Sequence, residues 1–344
     1  MAIDWQPSAS FETLRERARL MAKVRAFFAQ RDVLEVETPV LGQGGSTDVH
    51  LVLLHTLART DKGQRRLWLQ TSPEFHMKRL LAAGSGPIFQ LARSFRDGEI
   101  GARHNIEFTM LEWYRPQFTL DQLIDETATL IMSLLPSFPG PPVHYRYREL
   151  FHTYVEVDPF TTSLVRLRAI AAERAQMPAQ SLADEGRDTC LDLLMSVVIE
   201  PQLGQQELSV VVDYPASQAA LARRHQDADG EWVASRFEVY LNGIELANGY
   251  DELTDAAEQR TRFAEDNAER RRLGLPEVDV DEQLLAALEH GMPEGAGVAL
   301  GIDPSGLFAK LGGLAKHITT VEPSLKRPIS APFSSVIGWL NCVR

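Results

Sequence analysis

Cysteine is almost missing from this chain: 344 residues hold two, Cys190 and Cys342. Two cysteines build neither a disulfide framework nor a thiolate metal cluster, and they suit a reducing compartment. No apolar run reaches the roughly eighteen residues a membrane helix needs. The first residues carry Asp4 and Glu12 and no apolar core, so no signal peptide is expected and the chain reads as cytoplasmic. Positive charge is also short, with 35 Lys and Arg against 47 Asp and Glu, a net charge of -12 and a pI near 5.3. An acidic surface repels phosphate backbones, which makes nucleic acid a poor default partner. Internal repeats are absent. What remains is the ordinary composition of a globular enzyme, 44% hydrophobic and 24% charged, with length for one large domain or two smaller ones.

Residues 11–30 read as an amphipathic helix. Phe11, Leu14, Ala18, Met21, Val24 and Phe28 recur at three- and four-residue spacing, with Ser10 as N-cap. VLEVETPV, residues 33–40, alternates like a strand that ends at Pro39, and Gly42, Gly44 and Gly45 predict a flexible loop. Strands are expected at 66–71, 87–95, 106–115, 207–216 and 236–250. Helices are expected at 75–83, 121–135, 254–273 and 281–290. Residues 136–142 are proline-rich, the best internal boundary, and 143–200 reads as a mostly helical insertion. GAGVALGID, 295–303, is a glycine-rich strand or turn. Strands in runs with helices outside argue an α+β fold on an antiparallel sheet.

The stretch FRDGEIGARHNIEFTMLEWYRP, from Phe95 to Pro116, concentrates the chemistry. Glu112 and Tyr114 are two apart and share one face of a strand, where a carboxylate beside a phenol can clasp an ammonium group. Phe108 and Met110 share that face, and Phe108 offers a ring for a purine or simply fills the core. Arg96 presents a planar fork to a phosphate or carboxylate, or makes a surface ion pair. Glu245 and Glu252 flank Asn248-Gly249, a turn signal that would gather two carboxylates around a hard cation; the alternative is a solvated acidic pair. Ser72-Pro73-Glu74 places a carboxylate just past a strand, and reads equally as a helix start with Ser72 as N-cap and Pro73 first in the helix. The glycine pattern from Gly295 to Asp303 would let a nucleotide approach the backbone.

Together these segments resemble the class II aminoacyl-tRNA synthetases over residues 5–303. VLEVETPV resembles their motif 1, the segment that builds the dimer interface. FRDGEIGARHNIEFTMLEWY resembles motif 2, and GVALGID the start of motif 3. HNIEFTMLEWY and FEVYLNGIELANGYDELTD are similar to lysyl-tRNA synthetases in particular. Those enzymes carry an anticodon-binding barrel before motif 1, and here motif 1 begins too early for one. WQPSAS, TSPEFHMKRLL, EFTMLEWYRP and DYPASQAAL resemble the elongation factor P–(R)-β-lysine ligases, barrel-less synthetase paralogues. Ala299 stands where the synthetases have glycine and agrees with that branch.

The resemblance implies a class II catalytic domain over 1–303. It implies ATP and Mg2+, (R)-β-lysine or lysine as substrate, elongation factor P as protein acceptor, a homodimer, and no role for tRNA. It implies substrate contacts from Ser72, Pro73, Glu74, Glu112, Tyr114, Glu252 and Ala299, with Glu112 on the side-chain ammonium. Arg96 would be catalytic, bridging the substrate carboxylate and the α-phosphate. Arg96, Asp97, Gly98, Asn105, Phe108, Glu245, Leu246 and Gly301 would line the ATP site, with magnesium on Glu245 and Glu252.

Two departures stand out. Motif 2 usually reads Arg-x-Glu; here Gly98 holds the third position and Glu99 follows. Motif 3 usually continues Gly-Ile-Asp-Arg, whereas Pro304 follows Asp303. Residues 304–344 then hold four prolines and five Lys or Arg against one acid, Glu322: a net +4 that leaves -16 for the rest. A frameshift after Asp303 would produce this abrupt change, and a chain lacking the arginine is expected to adenylate weakly. Two other readings fit: a barrel-less synthetase paralogue with another acceptor, and a paralogue that binds ATP or amino acid without turnover.

Overall fold

The computed structural model describes residues 9–61, 63–98, 105–135 and 140–302. In chain order the first elements are α1 (Phe11–Ala29), β1 (Leu34–Glu35), β2 (Leu41–Gly42), β3 (His55–Thr60), β4 (Gly63–Leu69), α2 (Glu74–Ala82), β5 (Ile88–Phe95), β6 (Glu107–Pro116) and α3 (Leu120–Leu134). Next come β7 (Val143–Arg146), α4 (Tyr147–Tyr154), α5 (Leu164–Arg174), α6 (Arg187–Leu194), β8 (Ser209–Pro215), β9 (Arg224–Gln226), β10 (Trp232–Leu241) and β11 (Ile244–Asp251). The last are α7 (Ala256–Arg272), α8 (Glu282–Gly291) and β12 (Gly295–Gly301). The described residues form two compact units, 9–135 with 252–302, and 140–251.

In the first unit β1, β5, β6 and β12 lie side by side; β1 runs parallel to β5 and the other pairs are antiparallel. A separate antiparallel sheet has the order β2-β4-β3. Helix α1 starts where expected, Ser10 Oγ accepting from Thr13 N–H, and buries Leu20, Val24, Phe27 and Phe28. Phe28 stacks on Phe89 of β5 at 4.4 Å and meets Trp113 of β6 edge-on at 5.4 Å. Trp113 also donates its indole N–H to Glu126 of α3. One face of β5 and β6 is thereby packed under α1 and α3. Thr119 and Gln122 cap α3 reciprocally.

The second unit orders β11-β10-β8-β7, with β9 against β10 and β7 parallel to β8. Its core joins Tyr147, Phe151, Leu191 and Leu194 of the helices to Val211 and Tyr240 of the sheet.

The sequence expectations need four corrections. The alternation at 33–40 yields only two-residue β1; Leu34 and Val40 are exposed, so no buried face stabilises a longer strand. Residues 236–250 form a hairpin of two strands. It turns at Asn242-Gly243, with φ of 50° and 70°, which matches the strand twist; Asn248-Gly249 lies inside β11. Gly42, Gly44 and Gly45 serve close packing instead of flexibility, since a β-carbon at Gly44 would fall 2.4 Å from Asp281 N and one at Gly45 2.4 Å from Leu53. Helix α2 starts at Glu74 with Pro73 as its cap, one residue before the expected 75–83 and one after the start with Ser72 as N-cap.

Candidate active site

Strand β6 decides where a ligand can sit. Its odd positions, Leu111 and Trp113, face the α1 and α3 side, so its even positions, Phe108, Met110, Glu112 and Tyr114, form the other face. Pairing extends that face on both sides. Glu112 lies opposite Gln90 of β5 and Ala299 of β12; Tyr114 lies opposite Ile88 and Gly297; Met110 lies opposite Ala92 and Gly301. On β12 the face therefore carries only Gly295, Gly297, Ala299 and Gly301, which keeps the floor low beside Glu112. A β-carbon at Gly297 would lie 2.4 Å from Glu252 Oε1 and from the Tyr114 ring, whereas one at Gly301 meets none of the described residues within 4 Å.

Glu112 is 2% exposed. Its Oε1 accepts from Tyr114 O–H at 2.6 Å, and its buried Oε2 has no hydrogen-bond donor among the described residues. Burial, reinforced by Glu74 and Glu252, holds its carboxyl well above the ordinary range, while the Tyr114 bond and Lys78 oppose the shift. Burial and the Glu112 charge push the Tyr114 phenol up in turn. Helix α2 brings two more charges: Lys78 Nζ meets Glu74 Oε1 and Glu252 Oε2, each at 2.6 Å. Burial disfavours the Lys78 ammonium, but Glu252 and Glu74 outweigh it and keep it above its usual value. Seven expected substrate residues thus separate into a buried group of Glu112, Tyr114 and Glu252, the half-buried Glu74 and Ala299 beside it, and Ser72 and Pro73 at the start of α2. Ser72 Oγ lies 3.4 Å from Glu74 N.

Glu252 was also expected on a metal. Its carboxylate meets Lys78 Nζ at 2.6 Å, so a cation held there would share it with an ammonium. The turn invoked to bring it to Glu245 is absent, and extended β11 separates residues along its length. Among the described residues no group of three or more His, Cys, Asp and Glu is placed to hold a metal ion.

Arg96 follows β5; its guanidinium stands over the Phe108 ring at 5.2 Å, and its backbone N–H donates to Ile106. Asp97 accepts from the N–H of Gly98, which takes φ +78°. Asn105 is half-buried just before β6. Glu99, Asp303 and Pro304 lie outside the described residues.

Glu245 and Leu246 belong to the second unit. Glu245 is exposed and pairs in register with Tyr240; Leu246 is buried and is the extra residue of a β-bulge, since Ala247 pairs with Val239. Nearby, Glu238 accepts from Tyr214 O–H at 2.5 Å, from Tyr240 O–H and from Arg236. Arg236 also donates to Asn248 Oδ1 and lies 4.6 Å over the Tyr214 ring. Sequence reasoning missed this cluster, although RFEVY repeats the every-second-residue spacing that exposed FTMLEWY. It also missed Lys78, whose signal was the i, i+4 spacing from Glu74, and Gly297, which only the register reveals.

A buried carboxylate whose second oxygen has no donor among the described residues, a phenol beside it and a low glycine floor have the chemistry to accept an ammonium group. The family model for class II tRNA synthetases (D, K and N) matches residues 2–309. The chain is 50% identical over 301 residues to an elongation factor P–(R)-beta-lysine ligase of Mannheimia succiniciproducens, covering 87% of this chain and 91% of that protein. A protein of the same name from Pasteurella multocida is 48% identical over 316 residues, 91% and 95% of the two chains. One from Erwinia tasmaniensis is 49% identical over 303 residues, 87% and 91% of the two. The chain belongs to the class II tRNA synthetase family and, within it, to the elongation factor P–(R)-β-lysine ligases.

Proposed function

We propose that this protein activates (R)-β-lysine with ATP and transfers it to a lysine side chain of elongation factor P. The observation that carries the reading is Glu112 Oε2, a buried acceptor with no donor among the described residues, beside Tyr114 and Glu252. A substrate side-chain ammonium supplies the missing donors and charge. Ser72, Pro73 and Glu74 contact the other end of the amino acid. Ala299, opposite Glu112, sets pocket depth with its methyl group.

The chemistry follows in two steps. A carboxylate oxygen of β-lysine attacks the α-phosphorus of ATP, and the bond to pyrophosphate breaks. The acceptor amine then attacks the acyl carbon, AMP leaves, and the amine loses a proton. Arg96 sits between the substrate carboxylate and the α-phosphate, where its fork neutralises charge in the first step. Phe108 and Gly301 take the adenine, Asn105 holds the nucleotide, Asp97 and Gly98 flank the phosphates, and Leu246 offers its bulged backbone. Magnesium, when bound, supplies charge neutralisation on the triphosphate. Glu245 is the residue of this chain suited to hold it, being an exposed carboxylate, and Mg2+ needs one or two such ligands beside phosphate oxygens.

Exposed Phe11, Leu14, Leu34 and Leu41 on and after α1 support a homodimer through the motif 1 segment. The helices between 143 and 200 share a core with β8 and β10, which supports reading them as part of the catalytic body. No described helix is long and apolar enough to cross a membrane; a cytoplasmic location fits the acceptor. The test is ATP–pyrophosphate exchange with (R)-β-lysine and α-lysine, followed by mass measurement of elongation factor P. Exchange driven by (R)-β-lysine with a matching adduct is expected. Exchange that ignores both amino acids, or a tRNA ester in place of the protein adduct, contradicts the proposal.

A further inference from the structure

Lys78 has no part in that scheme, yet it lies among the carboxylates of the ammonium pocket. It sits one turn beyond Glu74 on α2, is 2% exposed, and touches both Glu74 and Glu252. Glu252 in turn abuts the face of Gly297 that the Tyr114 ring also fills, and the Glu74 and Glu252 charges both act on Glu112. We propose that Lys78 is a positioning residue for a diamine substrate: it ties Glu74 and Glu252 into one rigid unit and leaves the pocket two carboxylate charges for two ammonium groups. The inference rests on the functional reading above.

The physical case is a count of buried charges. Glu74, Glu112 and Glu252 are mutually repelling, and without a fixed cation they would turn apart or take up protons. One internal ammonium offsets one carboxylate. A β-lysine molecule carries two ammonium groups, so the occupied pocket is balanced, whereas a monoamine leaves a carboxylate buried without a partner. The geometry also selects lysine for the task. Its flexible stem carries a compact charge to two acceptors at 2.6 Å from the buried side of the pocket, where a guanidinium needs more room.

Three roles for Lys78 make opposite predictions. A mere countercharge would weaken cation binding, so its removal would tighten the site for β-lysine. A mere packing residue would change stability and leave the affinity of folded protein alone. A positioning residue loses affinity on removal and regains it when an external ammonium fills the gap. Calorimetric titration of the full chain with (R)-β-lysine separates them, with K78M, K78A and n-propylammonium, which replaces the three carbons and nitrogen that K78A lacks. Binding to K78M and K78A should weaken about tenfold or more, with ATP affinity within about twofold, and n-propylammonium should restore K78A about fivefold while leaving the wild type unchanged. Unchanged or tighter β-lysine binding by folded K78M overturns the proposal, as does failure of the amine to rescue K78A. Should K78A not fold, K78Q keeps a donor and most of the stem: weaker binding supports the proposal and equal binding overturns it. A wild-type chain that binds no β-lysine overturns the functional reading and this inference together; a wild type that binds it as K78M does overturns this inference alone.

Discussion

Glu112 combines a stability cost with the binding role proposed for it in one side chain. Burial, then the Glu74 charge, penalises its ionised form and holds its carboxyl well above the ordinary range. A folded-state value raised above the unfolded one means the group favours the fold below about pH 4.5 and loses that contribution as pH climbs through the raised value. Glu112→Gln removes the titration and supplies a neutral amide. The empty variant should melt at or above the wild-type temperature at pH 8, while β-lysine affinity falls by about 3 kcal/mol, some hundredfold, because the ammonium loses its charge partner. Melting curves and exchange KM together check this; a lower melting temperature with unchanged KM contradicts it. The same carboxyl sets a pH dependence. Ammonium binding needs it ionised, so KM for β-lysine should fall as pH rises through the shifted value, and titrations in buffers of different ionisation enthalpy should show proton release on binding.

Strand β12 matters for the side chains it lacks. Its glycines face the same surface but do different jobs, and the paired substitutions separate them. Gly297→Ala puts a methyl 2.4 Å from both Glu252 and Tyr114, so it should cost about 1–3 kcal/mol, lower the melting temperature by several degrees and raise KM for β-lysine. Gly301→Ala meets none of the described residues within 4 Å, so stability should stay within about 0.5 kcal/mol while KM for ATP rises if this position takes the adenine. Equal behaviour of the two variants in melting and kinetics contradicts this division. Ala299→Gly acts beside Glu112: losing the methyl should favour α-lysine relative to β-lysine in the exchange assay.

Across the whole molecule the net charge of -12 bears on partners more than on fold. Filter binding in 0.15 M salt should detect no tRNA complex tighter than about 1 μM; tighter binding would return a nucleic-acid acceptor to consideration. Elongation factor P, as a protein acceptor, should be modified in the same buffer, and mass measurement compares the two acceptors directly.

Short-period features were legible in the sequence alone. The existence and Ser10 cap of α1 and the every-second-residue face of Phe108, Met110, Glu112 and Tyr114 follow from local backbone geometry, which needs no partner strand, whereas the buried face of α1 did not, since Phe11 and Leu14 are exposed and Leu20 and Phe27 are buried. The motif order identified the synthetase family for the same reason, since it is written in contiguous residues. Features that depend on which strand or helix lies next were not legible. The Asn248-Gly249 pair looked like a turn until β10 and β11 showed theirs at Asn242-Gly243. VLEVETPV alternated but had no buried face to favour a longer strand. Glu252 gained Lys78 as a neighbour only on folding, and Gly297 gained its meaning only from the register with Tyr114. The sequence determined the chemical groups and the faces they share; tertiary structure decided their partners, because burial and pairing are set by segments distant along the chain.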